Sequence, residues 1–145
     1  MRGAIIETIR SFEYTDLFFV DPDLKDMLIE FKLSQLPRCT EMPLYDRLFA
    51  MIEVCNQAVG LTAQWKTNQY SIPKSIARTT IYSNVMLTEK MYSQQENVRL
   101  TDEYVMADSF ITNEQGDVVM YLKDVKFANL NQPARVAERF KVLKI

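Results

Sequence analysis

Glu53 and Gln57 are the residues of this chain whose types and spacing are best suited to chemistry. A separation of four stacks them on one face of a helix. There a carboxylate can take up or release a proton while the neighbouring amide fixes its orientation. The stretch around them, PLYDRLFAMIEVCNQAVGL, supports such a helix, because Leu44, Leu48, Met51, Ile52, Cys55 and Val59 recur at steps of three and four. Ala50 and Ala58 widen that apolar stripe. Pro43 suits the first helical position and Gly60 the C-terminal end, so a helix is predicted over residues 43–61. If a sheet wraps this helix, Glu53 is expected to be partly buried in an apolar slot and to serve there as a base. Polar pairs at this spacing are also routine on solvated helix faces, which is the competing structural explanation.

Histidine is absent from the chain. That removes Ser-His-Asp and Cys-His nucleophile pairs, histidine-ligated zinc and every histidine general base. Acid-base work therefore falls to Asp, Glu, Tyr, Lys, a thiol or water. Cys39 has a cation beside it in Arg38, which can lower a thiol pKa, but no base accompanies it and a loop thiol is the simpler reading. Cys55 lies on the apolar stripe and is expected in the core. Tyr45, Asp46 and Arg47, in the first turn, could bind the polar end of a ligand, although Asp46 is also favoured there by the helix dipole. Asn56, beside Gln57, is a further candidate substrate contact.

The bulk numbers narrow the class. At 145 residues, 48% hydrophobic and 25% charged, the chain is expected to form a single globular domain, residues 1–145. A formal charge of −2 gives no basic footprint for nucleic acid. No apolar run approaches membrane-spanning length and no signal peptide is evident, so a cytoplasmic location is expected, with no membrane partner. Two cysteines without a CxxC pair fit reduced thiols and neither a disulfide framework nor a metal site, and no cofactor is expected.

In chain order, residues 2–11 read as a short amphipathic helix, with Ile5, Ile6 and Ile9 on one side. Residues 12–20 and 26–33 read as a strand hairpin joined by the Asp21-Pro22-Asp23 turn. After the central helix, residues 62–69 read as a crossing loop or a last helical turn. Strands are predicted at 76–82, 89–95, 98–100, 103–112 and 117–127, with Asn113 to Gly116 a hairpin turn. Residues 133–140 are predicted as closing helical turns and 142–145 as an edge strand. A curved antiparallel sheet of five to six strands around one helix satisfies this order, an α+β architecture.

The stretch Ala50-Met-Ile-Glu53-Val-Cys-Asn-Gln57-Ala-Val-Gly60-Leu resembles the IEAxAQxAGxL segment of the hotdog-fold 3-hydroxyacyl carrier-protein dehydratases. Ile72-Pro73-Lys-Ser-Ile76 and the hairpin from Asp108 to Leu122 are similar to pieces of polyketide synthase dehydratase domains. The resemblance implies a hotdog fold, an acyl thioester on acyl carrier protein or coenzyme A as substrate, and a homodimer paired edge to edge. It implies Glu53 as the acidic catalytic residue and Gln57 as its orienter. The family's second catalytic residue is a histidine in a loop before the helix; an ungapped count back from Glu53 places Cys39 in that slot. Three readings follow: a dehydratase-like protein, a thioesterase on the same scaffold that needs no histidine, and a non-catalytic acyl-binding or partner-binding module. Lys74, Arg78, Lys90 and Lys126 are candidate contacts for an acidic carrier or a phosphate, and equally for solvent.

Overall fold

The computed structural model describes residues 4–7, 15–21, 26–36, 43–135 and 141–144, with side chains over 27–36 and 47–135. The central helix α1 spans Pro43–Thr67, 25 residues. It runs past the expected end at residue 61, and of the two readings of residues 62–69, a crossing loop or a last helical turn, the helical one holds as far as Thr67. The stop is made by Asn68, whose φ of 53° is left-handed and whose amide bonds the Gln64 carbonyl at 2.8 Å. Gly60 has a different role: a Cβ there would sit 2.8 Å from the Phe127 ring, so only glycine lets strand and helix approach so closely.

Strands β1 (Ala4–Glu7), β2 (Thr15–Asp21) and β3 (Asp26–Lys32) precede the helix, and β4 (Gln69–Ile81), β5 (Lys90–Leu100), β6 (Tyr104–Thr112), β7 (Val118–Pro133) and β8 (Lys141–Lys144) follow it. They form one antiparallel sheet in the order β4-β7-β6-β5-β3-β2-β1-β8. The sheet thus holds eight strands where five to six were expected. Part of the difference is the segment expected as an N-terminal helix: Ala4 to Glu7 pair instead with β8 on one side, and Ala4 and Ile5 with β2 on the other. Its adjacent isoleucines suit a strand between two neighbours, and pairing partners override a weak helical period. The two short runs predicted at 89–95 and 98–100 are one strand, bent where Asn97 takes a φ of 53°. Pro133 ends β7, so the closing helix does not begin there; residues 136–140, the turn at 22–25 and the loop carrying Cys39 lie outside the described residues.

The curve of the sheet encloses the helix stripe of Met51, Val54, Cys55, Ala58 and Val59, packed in one core with Ile29, Phe31, Met91, Ile111, Met120, Leu122 and Val125. Four of the eight methionines, Met27, Met51, Met91 and Met120, are core residues, whereas Met86 is 75% exposed. Small residues line the sheet under Cys55. Ser93 donates to its sulfur at 4.0 Å and Ser109 to its carbonyl at 3.4 Å. Burial pushes the Cys55 thiol up to about 12, as a core role requires. No described helix is long and apolar enough to cross a membrane.

Candidate active site on the uncovered side of the central helix

Along α1, residues 49, 53 and 57 face away from the enclosed stripe. Phe49 is 67% exposed, Glu53 is exposed and Gln57 is half-buried. The sequence-predicted pair is assembled: the Gln57 amide Nε2 donates to Glu53 Oε1 at 3.1 Å. That bond fixes the amide orientation, since reversing it would set oxygen against carboxylate. Gln57 Oε1 is then left buried without a partner. Among the described residues no apolar slot encloses Glu53, which is exposed. The sheet covers the far side of the helix, and the carboxylate projects from the near side.

Gly60, seven residues beyond Glu53 and so on the same face, lies under Phe127 of β7. The cross-strand partner of Phe127 is Pro73 of β4. The Glu53 face therefore looks toward the β7–β4 margin of the sheet. Among the described residues β4 pairs only with β7 and is an edge strand of 13 residues, with Tyr70, Ile72 and Ile81 each about two-fifths exposed.

The other candidates are distributed unevenly. Asn56 is half-buried and adjoins Gln57 on the helix. Tyr45 and Asp46 occupy the first turn of α1, but their side chains lie outside the described residues, and Cys39 lies outside them altogether. Lys74 and Arg78 are exposed on β4, and Lys126, which stacks 4.2 Å over the Tyr104 ring, is the cross-strand partner of Ser75. Lys90 is on β5, two strands further in, so the four cations do not form one patch. A cavity of about 390 Å³, lined by Met27, Thr62 and residues 94–98, lies on the opposite flank. Thr62 is nine residues from Glu53, half a turn away in azimuth and about 13 Å along the axis. Among the described residues no group of three or more acidic or cysteine side chains could hold a metal ion.

A second carboxylate escaped the sequence reading. Asp108 of β6 is fully buried on the outer side of the sheet. It accepts from Asn97 Nδ2 at 2.9 Å, Tyr121 Oη at 3.2 Å, Lys123 Nζ at 3.0 Å and the Asp124 amide at 2.9 Å, with Arg99 3.8 Å away. Burial by itself would raise its pKa, but these donors outweigh it and hold the carboxyl at about 2. The same surroundings, burial first and then the carboxylates of Glu96 and Asp108, push the Tyr121 phenol up. The cluster sits where the β5–β6 and β6–β7 registers shift and Asn97 and Asp124 take left-handed φ. Its partners come from the two flanking strands, β5 and β7, so no local spacing announces it.

No protein-family model matches the chain, and no curated protein matches it. Solved structures do. A Streptococcus mutans protein bound to acetyl-CoA superposes with a TM-score of 0.64 at 14% identity, over 85% of this chain and 94% of its own. A hypothetical thioesterase protein with coenzyme A, from Streptococcus pneumoniae, gives 0.60 at 14%, over 74% and 83%. The dehydratase domain of PpsC from Mycobacterium tuberculosis, in complex with C12:1-CoA, gives 0.59 at 12% over 83% of this chain, which spans only 44% of that one. What is shared at such identities is the path of the backbone, and that path, one sheet curved round one long helix, is the hotdog fold.

Proposed function

We propose that this protein hydrolyses acyl thioesters of coenzyme A or acyl carrier protein, with Glu53 as general base and Gln57 as its orienting partner. The observation that carries this reading is the Glu53–Gln57 bond on the open side of the helix, in a chain without histidine. Dehydration needs an acid and a base on either side of the substrate, whereas hydrolysis needs one base and a water. In the hydrolytic step Glu53 takes a proton from water as the oxygen attacks the thioester carbon. The tetrahedral intermediate then expels the thiolate, and the proton returns from Glu53 to sulfur. The developing oxyanion needs amide donors. The free amides at the start of α1, those of Leu44, Tyr45 and Asp46 because Pro43 has none, lie seven to nine residues from Glu53, about 11–14 Å along the axis, too far to serve a carbonyl at Glu53 of the same chain.

That distance favours a homodimer, in which a second copy supplies the donors and covers Glu53. The long edge of β4, with Tyr70, Ile72 and Ile81 exposed on it, is suited to pairing with its own copy, since an uncovered edge of this length invites association. Sedimentation equilibrium at twice the protomer mass is the expected result.

The test of function is release of free thiol from a panel of acyl-CoA thioesters. Glu53→Gln is expected to lower kcat by about 10²- to 10⁴-fold. Unchanged turnover would remove Glu53 from the mechanism. Loss of water from 3-hydroxyacyl thioesters, without thiol release, would select the dehydratase reading that the helix motif favours. Binding without turnover of any thioester would select the acyl-binding module.

A further inference from the structure

Arg47 stands out among the charged residues of α1. It lies four residues before Met51, seven before Val54 and eleven before Ala58, at the outer end of the stripe that faces the sheet. The side chain is half-buried and its Nε is covered, yet no acceptor meets that nitrogen, and no carboxylate pairs with the guanidinium among the described residues. Helical side chains lean toward the N-terminus, so this cation is directed toward the positive end of a 25-residue helix, where a cation is disfavoured. A half-buried guanidinium with neither counter-ion nor a favourable dipole is stabilised once an anion arrives, and its planar fork suits a carboxylate or a phosphate.

We propose that Arg47 is the anion-binding group of the thioester site, and that the preferred ligand carries an anionic end as well as the thioester. This rests on the thioester reading above. Glu53 and Arg47 are six residues apart, about 9 Å along the helix axis and about a third of a turn apart in azimuth, so a ligand that meets both must be extended and cross the flank of the helix between them. A phosphate of the carrier presents the same chemistry, and the experiment separates the two sources.

Binding is measured on the Glu53→Gln protein, which retains the thioester, with three probes: glutaryl-CoA, pentanoyl-CoA and the glutaryl thioester of pantetheine, which has no phosphate. Adding Arg47→Met, which keeps the apolar stem, is expected to weaken both glutaryl ligands by about ten- to a hundredfold and to leave pentanoyl-CoA unchanged. Weakening of both CoA ligands but not of the pantetheine thioester would assign the anion to a carrier phosphate. Equal affinities for all three probes with and without Arg47→Met would overturn the proposal and leave Arg47 a snorkelling surface residue. If Arg47→Met fails to fold, Arg47→Lys, which keeps the charge and loses the fork, replaces it, with an intermediate loss expected for the anionic probes and none if the proposal is wrong. Thiol release separates this result from the hydrolytic reading: a carboxylate preference without turnover ends hydrolysis and keeps Arg47, while turnover without that preference does the reverse.

Discussion

Asp108 and Glu53 are both carboxylates bound by neighbouring side chains, and the two sites differ in almost every physical respect. Asp108 is fully buried and each of its oxygens is engaged, by donors from Asn97, Tyr121, Lys123 and the Asp124 amide. Glu53 is exposed and accepts from one side-chain amide, that of Gln57. A saturated carboxylate has no lone pair to offer a substrate and a charge state locked by its surroundings. A sparsely bonded one can exchange a proton. Asp108 belongs to the scaffold, tying together the two bulges that bend the sheet round the helix, whereas Glu53 projects from the open side of the helix with most of its acceptor capacity unused.

The largest expected effect breaks the buried member. Asp108→Ala strands the donors of Asn97, Lys123 and the Asp124 amide, and should cost roughly 3 kcal/mol in urea unfolding. A loss under about 1 kcal/mol would mean the bulges hold without it. Acid titration sharpens the same point. The Asp108 pKa is depressed in the folded state, from 3.8 to about 2, so its contribution is fully present above pH 4 and is lost as pH falls through about 2. That contribution is about 2 kcal/mol. Asp108→Asn should flatten the stability curve between those limits; an unchanged acid limb would assign it to other carboxylates. Lys123→Met tests a single donor and should cost about 1 kcal/mol, reduced because the lysine side chain is 41% exposed. The smallest effect on stability belongs to Glu53→Gln, within about 0.5 kcal/mol, since the residue is exposed and makes one side-chain bond. If that variant instead unfolds early, Glu53 is structural and the contrast between the two carboxylates fails.

The resemblance carried by residues 50–61 leads to the same hotdog architecture that the backbone adopts. The helix period, the hairpin turn at Gly116, where φ is +84°, and most strands were legible because each rests on local pattern. The misses also have local causes. Ile5, Ile6 and Ile9 offered a helical spacing, while the partners that make Ala4 to Glu7 a strand are distant in the chain, and Gly60 looked like a terminator because its true constraint, the Phe127 ring, is 67 residues away. Asp108 was invisible for the same reason.

By itself the sequence determined that a long amphipathic helix would sit among antiparallel strands, that Glu53 and Gln57 would touch, and that no histidine could take part. Each follows from periodicity or composition, which are properties of neighbours along the chain. Only the tertiary structure decided which side of the helix the sheet would enclose, and therefore that Glu53 is open in the single chain while Arg47 is half-buried, and only it buried Asp108 between neighbouring strands on the outer side of the sheet. Burial is a property of what packs across space, and side chains from strands far apart in the chain set it.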